Sequence, residues 1–235
     1  MIIMHILLIP LWFYGFDTVM YFISSIVGFF ISSNSYKLYS ITRKKSHLYL
    51  YLGFMLLSLG LFLSGFVSTY SYVMYKSCVR NCSLSLFDTV FGIEDFGLLL
   101  YFGLSILGYS ILALAHLPKK TKISSLVLLS ILAFSGILIF ASVPISELLM
   151  WYTYHQYFNL LSILIVGYIL FKVLVNFSES RNLYSFLVVL GFSGIFVFHI
   201  LHFFSFFNPW AYVSAHLFLI VGYLSLLAML IKVRH

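Results

Sequence analysis

Residues 184–231 read YSFLVVLGFSGIFVFHILHFFSFFNPWAYVSAHLFLIVGYLSLLAMLI, a run without a single Asp, Glu, Lys or Arg. Crossing the roughly 30 Å hydrocarbon core as a helix takes about 20 apolar residues at about 1.5 Å each. The run is long enough to cross twice, and Asn208-Pro209 divides it into stretches of suitable length at 184–207 and 210–231. Proline cannot continue a helix, so the chain turns there and the two stretches form antiparallel neighbours.

The same reading carried outward toward residue 1 yields seven spans, near 14–40, 47–74, 92–115, 123–142, 149–175, 184–207 and 210–231. The breaks are Arg43-Lys44-Lys45, a polar loop over 75–91, Pro118-Lys119-Lys120, Pro144, the run Ser178 to Asn182, and Asn208-Pro209. These are the charge, turn and breaker signals that end helices. Composition agrees: 63% of the residues are hydrophobic, 8% are charged, and the mean hydropathy is +1.09, which no soluble core absorbs. The expected fold is all-α, a polytopic integral membrane protein built as one seven-transmembrane-helix bundle over residues 14–235. Residues 1–13 are read as an outer interfacial segment, and residues 1–12 lack the basic start and cleavage site of a removable signal peptide.

Orientation follows from the basic residues, which cytoplasmic loops retain during insertion. On one side fall Lys37, Arg43, Lys44, Lys45, Lys119, Lys120, Lys122, Lys172, Arg181, Lys232 and Arg234, and on the other only Lys76 and Arg80. The expectation is a multipass protein of the cell membrane with its N-terminus outside and its C-terminus cytoplasmic. The net charge of +7 therefore serves topology, and no nucleic-acid partner is expected; the partners are the lipid bilayer and other membrane subunits. Five of the six acids, Asp17, Asp88, Glu94, Asp95 and Glu147, fall outside or in the outer leaflet. Cys78 and Cys82 share the outer loop, where a disulfide is permitted, and four residues apart they also fit one helical turn.

Ionisable residues inside a bilayer are costly, and each is a functional hypothesis. Counting inward from Asn208 and Pro209 at about 1.5 Å per residue puts His202 about 9 Å, His199 about 13 Å and His216 about 10 Å deep. His155 on the fifth span lies about 9 Å down by the same rise. Imidazoles on facing helices hold haem b or a transition metal ion, which makes His199, His202 and His216 candidate cofactor ligands, with His155, Glu94 and Asp95 added for a metal site. The plainer reading of a buried histidine is a hydrogen bond between helices. His47, His116 and His235 stand beside basic clusters and mark the opposite interface. Gly53, Gly60 and Gly65, Gly97, Gly103 and Gly108, and Gly191 and Gly194 permit close helix approach.

Several family patterns bear on function. Asn208-Pro209-Trp210-Ala211-Tyr212 has the letters of a receptor motif of the last helix but lies at that helix's outer start. Microbial rhodopsins hold retinal on a last-helix lysine, and no lysine occurs between Lys172 and Lys232. Seven-helix zinc hydrolases of the adiponectin-receptor and alkaline-ceramidase kind carry a paired histidine on helix seven, where this chain has His216 alone. The first 65 residues, through Tyr14-Gly15-Phe16-Asp17-Thr18, Ser35-Tyr36-Lys37 and Tyr49-Leu50-Tyr51-Leu52-Gly53-Phe54, resemble small archaeal multipass membrane proteins with no assigned function, a resemblance that implies topology alone. The first expectation is a redox or metal-binding membrane protein with an outer-leaflet histidine site. The second is a cofactor-free membrane sensor or assembly subunit, and the third a metal-dependent intramembrane hydrolase or a transporter. No catalytic set is assigned.

Overall fold

The computed structural model of the chain describes residues 15–81, 84–116, 148–205 and 207–234, and among these it is entirely helical. The helices are α1 (Phe16–Thr42), α2 (Lys45–Asn81), α3 (Leu84–Ala115), α4 (Leu148–Ser180), α5 (Leu183–Phe204) and α6 (Pro209–Arg234). All six are long and apolar enough to cross a membrane. The expected span over 123–142 lies outside the described residues.

Local chemistry sets the helix ends. Gly15 starts α1 at φ 91°, a left-handed conformation open to glycine, and the Asp17 carboxylate accepts the Gly15 and Thr18 N–H groups at 3.1 and 2.8 Å. Asn182 and Asn208 cap α5 and α6, accepting the N–H of Ser185 at 2.7 Å and of Trp210 at 3.0 Å, and Pro209 occupies the first helical position of α6. The turns after α1 and α4 place Arg43 and Arg181 at positive φ, where each N–H returns to a carbonyl four residues back.

One expectation needs correction. The described residues of the polar stretch 75–91 are helical rather than loop: α2 continues to Asn81 and α3 starts at Leu84. The stretch holds no Pro or Gly to stop a helix, and polarity alone does not end one. Cys78 accordingly lies on α2, while Cys82 is outside the described residues.

Helices adjacent in sequence pack together, and α1 also meets α6 and α3 meets α4. The α1–α2 contact is made by hydroxyls: Ser25 donates to the Ser58 carbonyl at 2.8 Å and Ser32 to the Tyr51 carbonyl at 3.1 Å. In the α5–α6 contact the backbones themselves touch. A Cβ at Gly194 would lie 2.7 Å from the Phe218 carbonyl oxygen, and one at Gly222 would lie 2.7 Å from that of Gly191. Gly53 and Gly108 serve α2 and α3 in the same way, whereas a Cβ on Gly103 would meet nothing within 4 Å.

Candidate functional site: a buried imidazole and phenol layer

Three helices bring the four expected membrane histidines into one neighbourhood, and α1 and α3 add partners. His155 lies on α4, His199 and His202 on α5, and His216 on α6; His199 and His216 are fully buried and His202 nearly so. His155 Nε2 and His202 Nδ1 are 2.7 Å apart, so one ring donates its N–H to the lone pair of the other. The His202 ring centroid is 5.8 Å from that of His216, and both rings pack edge-on against Phe198.

His199 sits in a separate set of bonds. Asn159, one turn beyond His155 on α4, commits its Nδ2 to the His155 carbonyl at 2.9 Å, which turns Oδ1 toward His199 Nδ1 at 3.1 Å. The Tyr109 phenol of α3 lies 2.8 Å from His199 Nε2. Only one tautomer satisfies both: Nδ1–H donates to Asn159 and Nε2 accepts from Tyr109. Both nitrogens of His199 are thus taken up by protein groups.

His216 Nδ1 donates to the Tyr212 carbonyl one turn earlier, at 2.9 Å, and its ring lies 5.0 Å from that of Tyr21 on α1. The Tyr212 phenol donates to Asp17 at 3.1 Å, tying the first described helix to the last. Asp17, Tyr21 and Tyr212 are all buried. Outside the apolar stretch of α3, His116 is held below the ordinary imidazole value by burial and by the nearby Lys172 ammonium.

Among the described residues, no three His, Cys, Asp or Glu side chains form a group able to hold a metal ion. Two imidazoles on opposite sides of a metal keep their nitrogens about 4 Å apart, twice a bond of about 2.0 Å. The 2.7 Å between His155 and His202 is a direct hydrogen bond instead. Glu94 and Asp95 lie on α3 at positions whose side chains are outside the described set.

Sequence reasoning found the four histidines and missed Asn159, Tyr109 and Tyr212, which partner them or Asp17. A signal existed for Asn159, which is four residues from His155 and therefore on the same helix face. None existed for Tyr109, one of 18 tyrosines. No known protein family, curated protein or solved structure matches the chain.

Proposed function

We propose that this chain is a cofactor-free membrane sensor or assembly subunit of seven spans, in which the imidazole layer joins helices and responds to protons. The observation that carries this reading is the His155–His202 hydrogen bond between α4 and α5. An N–H···N bond between imidazoles needs one nitrogen to keep its lone pair. The bond survives with neither ring or one ring protonated, and the second proton abolishes it by turning both nitrogens into donors. Acidification then loosens α4 from α5.

The direction of α4 supports the seventh span. Phe102 of α3 stacks on Phe158 of α4 at 4.1 Å, and His116 just beyond α3 lies near Lys172 of α4. Both pairs rise together in number, so α3 and α4 run parallel. The chain leaving α3 must return the full depth of the bundle before α4 begins, and 123–142 is apolar enough to make that crossing through lipid. With this span in place, the excess of Lys and Arg supports a cytoplasmic C-terminus and an outer N-terminus.

The decisive experiment is the visible spectrum, oxidised and reduced, and the metal content of the full chain purified in detergent. A colourless preparation without stoichiometric metal is expected. Haem bands or bound metal that His216→Ala abolishes and His116→Ala preserves would replace this reading with a cofactor site.

A further inference from the structure

Among the described residues, the longest buried polar surface is on α1, away from most of the imidazoles. Asp17, Tyr21, Ser24, Ser25, Gly28, Ser32 and Ser35 recur at helical spacing, and all but Gly28 carry a polar group that is buried. They cover 18 residue steps, about 27 Å of rise, which nearly equals the hydrocarbon thickness of about 30 Å. A helix contact needs only a few such groups; a buried polar face of this length, opened by the ionisable Asp17, is also what a pathway for ions or protons requires.

A second observation separates this face from a row of helix-joining serines. Ser25 and Ser32 bond carbonyls of α2, but the Ser24 and Ser35 hydroxyl oxygens, fully buried in line with Asp17 and Gly28, have no hydrogen-bond partner among the described residues. A buried hydroxyl without a protein partner is a group suited to bonding a buried water. On either side of Gly28 the groups Asp17, Tyr21 and Ser24, and then Ser32 and Ser35, rise by about 4.5–6 Å, too far for one direct bond and suited to one bridging water. The Ser58 hydroxyl of α2 stands at Gly28, within the gap of about 10.5 Å between Ser25 and Ser32.

We propose that the buried face of α1 is a proton pathway across the bilayer. Its outer mouth is Asp17, which faces Tyr212 and His216 of α6 and Tyr21 on its own helix. Midway, a Cβ at Gly28 would collide with the Ser58 hydroxyl and lie 2.8 Å from Tyr223, so α2 and α6 close tightly on this point. Gly28, Ser58 and Tyr223 form the constriction, and Ser32 and Ser35 continue beyond it toward the basic end at Lys37 and Arg43. No covalent bond is made in transit. Each hydroxyl or water accepts a proton at oxygen and releases another, and Asp17 alternates between carboxylate and acid.

The test is to reconstitute the full chain in phosphatidylcholine vesicles enclosing a pH-sensitive dye, with a potassium diffusion potential of either sign, at pH 5 and pH 7. The expected result is proton flux well above that of protein-free vesicles, reduced at least fivefold in the Ser24→Ala/Ser35→Ala variant. That variant removes only unpartnered hydroxyls, so its thermal unfolding in detergent should match or exceed that of the parent. Should it fail to fold, Asp17→Asn, which keeps an oxygen to cap α1, must show the same loss. Flux equal to that of empty vesicles under every condition, equal flux in parent and folded variant, or flux carried by sodium would each overturn the proposal. None of these outcomes bears on the His155–His202 bond.

Discussion

The hairpins α1–α2 and α5–α6 solve one problem by different means. Within lipid, apolar surface gains little by leaving tails for another helix, so helices associate through close packing and hydrogen bonds. α1 and α2 use side-chain hydroxyls that reach backbone carbonyls across the contact, through Ser25 and Ser32. α5 and α6 remove side chains altogether at Gly191, Gly194 and Gly222, and gather most of their buried polar groups around the histidines at one end, with Tyr223 and Ser225 farther along α6. The serine hairpin leaves a polar face along the whole of α1, whereas the polar groups of the glycine hairpin concentrate near one level.

Substitutions can break that contrast. Gly194→Val should have the largest effect, because the new branches meet the Phe218 carbonyl and Gly222 backbone, which cannot give way as a side-chain end can. Overpacking of this kind costs about 3 kcal/mol or more where backbone must move, to be read from unfolding in mixed detergent micelles. Tyr109→Phe comes next, since it leaves His199 Nε2 buried without its donor at a cost of about 1–3 kcal/mol in the same assay. Ser25→Ala loses one interhelical bond and should cost only about 0.6 kcal/mol, at most about 1.7. A Ser25→Ala loss as large as that of Gly194→Val would erase the distinction between the hairpins.

The smallest effect concerns pH. His116 titrates below its ordinary value in the folded protein, so the unfolded chain binds the proton more readily. Protonation therefore opposes folding: stability falls as pH drops through the ordinary imidazole range and is restored above it. His116→Gln should shallow the acid limb of a stability–pH profile without moving the plateau near pH 8.

Much of this was written in the sequence, and the remainder depended on partners far along the chain. The apolar runs and the breaks at Ser178 to Asn182 and Asn208-Pro209 are local signals, and the expected spans fall within a few residues of the six described helices, apart from the continuation of α2 and α3 past the membrane-facing stretch. That Asn182 and Asn208 act as caps came from the structure. The common level of His155, His202 and His216 followed from counting rise per residue. What counting cannot supply is rotation about the helix axis. It is rotation that aims His155 at His202 rather than at a third ligand, and that gives His199 to Asn159 and Tyr109. The serines of α1 went unread for a related reason. Serine is common in membrane helices and bonds its own backbone, so its role shows only when a neighbour is known to cover it.

The central claim, that the imidazoles join helices, rests most directly on one pair. A double-mutant cycle on His155→Ala and His202→Ala, measured as unfolding free energy in detergent at pH 7.5 and again at pH 4.5, isolates their interaction from the rest of the layer. The expected result is a favourable coupling of about 0.6–1.7 kcal/mol at pH 7.5 that vanishes or turns repulsive at pH 4.5. Coupling near zero at pH 7.5, or equal at both pH values, would contradict it.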